Sequence, residues 1–87
     1  MNILSTLILN FGENTDTFYS LLLEEDFDFK TKNININFLK NNDKIEINFQ
    51  VSKILDLKIA SSAVIKSLEV IDKTMQIDKI NSNIVNV

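Results

Sequence analysis

Two runs of alternating apolar and polar residues constrain the fold most, because side chains repeat every two residues only in a β-strand. Residues 33–38 read NININF, and residues 45–51 read IEINFQV. In both runs the isoleucines and phenylalanines fall on one face, and the polar residues fall on the other. The intervening NND at residues 41–43 is typical of a tight turn. This segment therefore predicts a β-hairpin with one buried and one polar face.

The rest of the chain supplies a further strand and two helices. Residues 3–11 indicate a first strand, and ENTDTFYSLLLEED indicates a helix with Asn14 or Thr15 as its N-cap. A longer helix is predicted from Ser52, as N-cap, to about residue 75, because one stripe repeats at four-three spacing: Leu57, Ser61, Val64, Leu68, Ile71 and Met75. We therefore expect one α+β domain over residues 1–87, a three-stranded antiparallel sheet with both helices on one face.

The last residues, 76–87, form a candidate C-terminal extension. Their apolar members keep near-helical spacing: Ile77, Ile80, Ile84 and Val87. Asparagine and serine, which have low helix propensity, lie between them. The segment is compatible with an extension of the second helix, a docked strand or a frayed end.

Composition argues against an enzyme. The chain of 87 residues has no histidine and no cysteine, which removes the usual general bases and most transition-metal ligands. Lys58, Ser61 and Ser62 offer a serine–lysine pair, but small residues in a helix are more typical of close packing. We therefore expect no catalytic residue, no metal site and no cofactor.

Charge, hydropathy and length limit the partners. A net charge of −3 argues against strong autonomous binding of nucleic acid. No apolar run reaches the roughly 18 residues that a membrane span needs. The amino terminus lacks the basic start and cleavage site of a signal peptide, so we expect a cytoplasmic protein. A domain of this length has a thin core, which makes a partner protein plausible.

Two surfaces carry more apolar residues than one core needs. The open face of the sheet combines asparagines with Leu4, Thr6 and Ile8, and we expect these three residues to form a dimer interface. On a helical wheel, one group of apolar residues of the second helix lies opposite the core stripe, and the first helix also has a wide apolar arc. We expect a helical partner to dock on this outer face through Tyr19, Leu23, Leu55, Ile59 and Val70.

The order of elements and several spacings resemble the small dimerisation subunit of the KEOPS complex, the Pcc-type family of archaea and eukaryotes. Members of that family have a first strand ending in Phe, a helix ending Leu-x-x-Glu-Asp with an aromatic before it, and a last helix with Leu-Arg-Ala and Asn-Ser-x-x-Arg. The corresponding residues here are Phe11, Tyr19, Leu22, Glu25, Asp26, Leu57, Lys58, Ser62, Ala63 and Lys66. Lysine replaces both arginines, so bidentate phosphate contacts are not available.

The resemblance implies a non-catalytic subunit of a complex that forms threonylcarbamoyladenosine in tRNA. Such a subunit pairs with a copy or a paralogue of itself, binds the threonylcarbamoyl-transferase catalytic subunit through its helices, and helps to hold tRNA. Lys58 and Lys66, about 80° apart on the wheel, are then the candidate tRNA contacts, unless they are solvated or pair with partner carboxylates. An acidic, arginine-free chain better suits the diverged archaeal paralogue that caps the complex. A small adaptor or antitoxin-like module without a tRNA role is the alternative.

Overall fold

The computed structural model describes residues 2–25, 27, 29 and 33–85, with side chains as far as residue 75. The described elements follow the order β-α-β-β-α: β1 (Ile3–Asn10), a 3-10 turn (Gly12–Asn14), α1 (Thr15–Glu24), β2 (Ile34–Asn41), β3 (Lys44–Val51) and α2 (Ile54–Val85). The strands form one antiparallel sheet in the order β1-β3-β2, and both helices pack on the same face. The expected α+β fold is therefore confirmed.

The core forms where the central strand β3 meets the two helices. The alternate residues of β3 that face the helices are all buried: Ile45, Ile47, Phe49 and Val51. They pack against Phe18 and Leu22 of α1 and against Ala60, Val64 and Ile71 of α2. Phe38, on β2, also faces the helices and packs against this core. These phenylalanines are thus core residues, and they do not stand on the open face where a nucleic-acid-binding sheet would present them.

The hairpin between β2 and β3 turns through two residues, Asn42 and Asp43. Asn42 has a φ angle of 57°, a left-handed conformation that asparagine tolerates better than most other residues. The turn fixes the register in which Phe38 lies opposite Ile47 and Asn37 lies opposite Asn48. The predicted inward and outward faces of the hairpin therefore both hold.

The ends of the elements differ from the prediction by one or two residues, except that α2 continues to Val85 and does not end at about residue 75. β1 ends at Asn10 rather than Phe11, although the Phe11 N–H still donates to the Asp43 carbonyl at 3.0 Å. Asn14 occupies the N-cap of α1, but its side chain makes no capping hydrogen bond. Ser52 is not the N-cap of α2, because the helix begins at Ile54 and its first turn bonds Leu57 N–H to the carbonyl of Lys53.

Helix α2 is much longer than the sheet that it covers. It has 32 residues, or about 48 Å at 1.5 Å per residue, whereas each strand of eight residues spans about 26 Å. Ile71 is the last buried residue of α2 among those with described side chains, and Met75 is half-buried. The backbone helix includes residues 76–85 of the C-terminal extension, while residues 86 and 87 lie outside the described part.

Candidate protein-binding surfaces

A groove runs along the outer surface of α2, on the side away from the sheet. It has a volume of about 410 Å³, and one helix supplies all of its lining residues: Leu55, Lys58, Ile59, Ser62, Ala63 and Lys66. Leu55 and Ile59 are 63% and 45% exposed. The structure thus brings two of the expected docking residues together with both of the lysines that the sequence singled out.

The spacing of these six residues gives the groove a specific shape. Residues 55, 58, 59 and 62, and then residues 59, 62, 63 and 66, each follow the i, i+3, i+4, i+7 pattern. Four residues in this pattern surround a hole that accepts one side chain of a facing helix. Ser62 and Ala63 are small, so they leave the centre of the groove open. The groove therefore has the form of two successive holes for the knobs of a partner helix.

The lysines lie on the edge of this groove. Lys58 and Lys66 are both exposed, and neither makes a salt bridge among the described residues. An anion or a carboxylate could approach both ammonium groups from the same side of α2. A partner helix seated in the groove would, however, occupy the surface between them. A helix docked in the middle of the groove would therefore leave only the rim of this surface accessible to another ligand.

The other expected docking residues lie outside the groove. Val70 is 61% exposed and lies further along α2, at a distance of about 16 Å from Ile59 by helical rise. Leu23 is exposed near the end of α1. Tyr19 is half-buried, and its hydroxyl donates to the Phe38 carbonyl at 3.4 Å. Tyr19 therefore packs against β2 instead of joining the outer surface of α2.

The expected dimer residues lie in one line on the open face of the sheet. Leu4 and Ile8 are 74% and 58% exposed, with the exposed Thr6 between them on β1. Leu39 of β2 is a further exposed apolar residue on this face, in the same cross-strand row as Ile8 and Glu46. The sequence analysis did not include Leu39, although its position after Asn35 and Asn37 in the alternation was sufficient to place it there.

A polar row crosses the centre of the open face. The Thr6 hydroxyl donates to Asn48 Oδ1 at 2.8 Å, and Asn48 Nδ2 donates to Glu46 Oε2 at 3.1 Å. The central strand β3 is thus polar on this face, while the apolar residues lie on the outer strands. A second sheet stacked on this face would have to cover Glu46, which is costly for a carboxylate that has no oppositely charged partner on this sheet in the described residues. The edge along β1 is the more apolar part of the surface.

The structure adds an apolar cleft that the sequence analysis did not find. It has a volume of about 500 Å³ and lies between β1, the start of α1 and α2, lined mainly by apolar residues: Leu7, Leu9, Phe11, Phe18, Ile65 and Leu68, with Asn14, Glu69 and Asp72 at its polar positions. The Phe11 and Phe18 rings stack at 4.1 Å in its wall. Leu7 and Leu9 remain half-buried because the helices cover the central strand more completely than β1.

In the described part of the chain, the hydroxyl of Ser61 is hydrogen-bonded within its own helix. Ser61 donates its hydroxyl hydrogen bond to the Leu57 carbonyl at 2.7 Å, as a packed helical serine does. Among the described residues, no three acidic, histidine or cysteine side chains come together as a metal site. Asp26, the last residue of the Leu-x-x-Glu-Asp pattern, lies outside the described residues. In the described segments, no helix combines the length and hydropathy that crossing a bilayer requires.

No protein-family model matches the chain, and no curated protein matches its sequence.

Proposed function

We propose that this chain is a non-catalytic subunit that seats a helix of a partner protein on α2 and pairs with a copy or a paralogue of itself. The groove of Leu55, Ile59, Ser62 and Ala63 is the observation that supports the proposal. Its apolar walls and small floor suit a helix, and its lysine edge suits carboxylates on the same helix. Burial of one large aliphatic side chain contributes about 1.5–3 kcal/mol, so Leu55 and Ile59 together can dominate the binding.

The resemblance to the KEOPS small subunit gives this partner an identity. In that complex the helices of the small subunit bind the threonylcarbamoyl-transferase catalytic subunit. We propose the same partner here, in a cytoplasmic complex that makes threonylcarbamoyladenosine in tRNA. Contact with tRNA belongs to the assembled complex, because the chain alone has a net charge of −3 and would repel a phosphate backbone.

Binding of the transferase subunit from the same organism tests the proposal. Isothermal titration with the wild-type chain is compared with Ile59→Asp and Val70→Asp, and Leu39→Asp serves as the matched control. All three residues are exposed apolar side chains, but Leu39 lies on the opposite side of the molecule. We expect Ile59→Asp to weaken binding at least thirtyfold, about 2 kcal/mol, and Val70→Asp to weaken it less. Leu39→Asp should bind as the wild type does.

The possible outcomes test the identity of the partner and the location of the docking surface separately. If the wild-type chain does not bind the transferase subunit, the KEOPS assignment is wrong, and the adaptor or antitoxin-like function becomes the better one. If all variants bind it equally, the transferase is the partner but the groove is not the docking surface. Circular dichroism of each variant checks that the fold is intact.

A further inference from the structure

The apolar cleft between β1, the start of α1 and α2 exists because the helices leave β1 partly uncovered. Leu7 and Leu9 face the helices but stay half-buried, and Ile65 of α2 is 46% exposed. The cleft has a volume of about 500 Å³. Clefts of about 300–1,000 Å³ with apolar walls and a few polar groups are the usual binding sites for small molecules. The size and the lining of this cleft therefore suit a small organic ligand.

Two phenylalanine rings form one wall of the cleft. Phe11 and Phe18 stack with their ring centres 4.1 Å apart and their planes 19° apart. Phe18 is buried, whereas Phe11 is half-buried and remains accessible from the cleft. The face of an aromatic ring carries partial negative charge, so it attracts cations, and the ring also stacks with other rings. This wall therefore favours a ligand with an aromatic body and a positive charge.

The side of the cleft that α2 forms is negatively charged. Its described lining residues follow the i, i+3, i+4, i+7 pattern of one helix face: Ile65, Leu68, Glu69 and Asp72. Both acidic residues are exposed, and Glu69 makes no salt bridge among the described residues. The described lining contains no lysine. A cation in the cleft would thus meet a carboxylate beside an apolar surface, where charges interact more strongly than in bulk water.

The amino end of α1, which also borders the cleft, offsets this charge only weakly. The amino end of a helix usually attracts anions through its free N–H groups. Here the N–H groups of Asn14 and Thr15 are already bonded within the 3-10 turn, and Glu13 adds a negative charge beside them. Lys66 and Lys73 lie about 100° around α2 from the residues that line the cleft. The electrostatics of the cleft therefore favour a cation over an anion.

We infer that this cleft binds a small organic cation, with an aromatic body between Phe11 and Ile65 and an ammonium group paired with Glu69. Asn14 lines the α1 side of the cleft and its side chain makes no capping hydrogen bond, so its amide oxygen can accept from the same ammonium group. A protein segment suits the cleft less well, because a specific protein interface uses about 20–30 residues on each side, whereas nine described residues line the cleft. The inference does not depend on the partner proposed for the groove of α2.

Titration of the full chain with two probes that share one ring system tests the inference. Naphthylmethylamine is positively charged at neutral pH, and naphthoate has the same rings with a negative charge. In amide NMR spectra, the amine should shift the resonances of residues around the cleft: Leu7, Leu9, Phe11, Ile65 and Glu69. We expect it to bind about threefold or more tightly than naphthoate, and this ratio should fall as salt rises. Equal affinity of the two probes, shifts that lie elsewhere, or no shift at millimolar amine would overturn the inference.

Exposed positions supply variants with matched controls. Glu69→Gln should remove the preference for the amine, whereas Glu24→Gln removes the same charge from α1 and should keep it. Ile65→Lys places an ammonium group at i, i+4 spacing from Glu69, where it takes the place of the ligand's charge, and it should weaken amine binding about fivefold. Ile54→Lys adds the same charge at a 71% exposed position of α2 and should bind as the wild type does. Equal effects within either pair would mean that net charge alone selects the amine, and would overturn the inference.

The failure of this inference and the failure of the proposed function are distinguishable. Ile59→Asp lies in the groove of α2, so it should impair binding of the transferase subunit but bind the amine as the wild type does. Glu69→Gln should do the reverse. A chain that binds the amine but not the transferase subunit supports the cleft and contradicts the KEOPS assignment. If the amine shifts no cleft resonance in a sample that light scattering shows to be dimeric, a second copy covers the cleft and the inference is wrong.

Discussion

Val64 and Val70 are the same residue type on the same helix, but Val64 is fully buried and Val70 is 61% exposed. Helix α2 is apolar on two sides, and the sheet covers only one of them. The inner side, with Ala60, Val64 and Ile71, belongs to the core. The outer side gains the free energy of burial only when another protein covers it. The comparison separates residues that hold the fold from residues that are available for binding.

The strongest test of this comparison places an aspartate on each side of α2. Val64→Asp should unfold the chain, because a buried carboxylate without a partner costs several kcal/mol, and a domain has only about 5–15 kcal/mol of stability. Val70→Asp should change the free energy of unfolding by no more than about 0.5 kcal/mol. Circular dichroism and urea unfolding measure both. A similar loss for the two variants would mean that the outer side is also buried in the free chain.

A smaller change uses the two alanines of the helix. Ala60 is fully buried, whereas Ala63 lines the groove and is only half-buried. Ala60→Leu should destabilise the fold by about 1–3 kcal/mol, because the core has no space for the added atoms. Ala63→Leu should leave urea unfolding nearly unchanged but should weaken binding of the transferase subunit, since the new side chain fills the floor of the groove. Unchanged binding would show that no helix sits there.

The sequence was sufficient to predict the parts of this molecule that depend on local periodicity. Alternation in residues 33–38 and 45–51 predicted the hairpin and its two faces. Four-three spacing identified Val64 and Ile71 as inner residues of α2 and left Leu55, Ile59 and Val70 on the outer side, as the structure has them. The same wheel placed Lys58 and Lys66 on one side, and both line the groove.

Local periodicity could not predict the contacts between segments that are far apart in the chain. The position of β1 beside β3 depends on pairs such as Thr6 and Asn48, which are 42 residues apart. That position decides that β1 is an edge, and it creates the cleft beside Ile65. Tyr19 has the pattern of an exposed helical aromatic, but β2 passes close enough to accept its hydroxyl hydrogen bond. Local spacing contains no information on either arrangement.

The smallest expected effect is that of replacing the two lysines on the edge of the groove. Lys58→Gln with Lys66→Gln should not change the stability of the free chain by more than a few tenths of a kcal/mol, because exposed charges contribute little. If these lysines touch tRNA in the assembled complex, the double variant should lower tRNA affinity severalfold and flatten its dependence on salt.

Lys44→Gln with Lys53→Gln removes the same charge at exposed positions outside the groove and is the matched control. Equal effects of both pairs would reflect net charge alone. No effect of either pair would leave Lys58 and Lys66 as solvated residues or as partners of carboxylates on the docked helix, and would favour the diverged, capping paralogue over the tRNA-holding subunit.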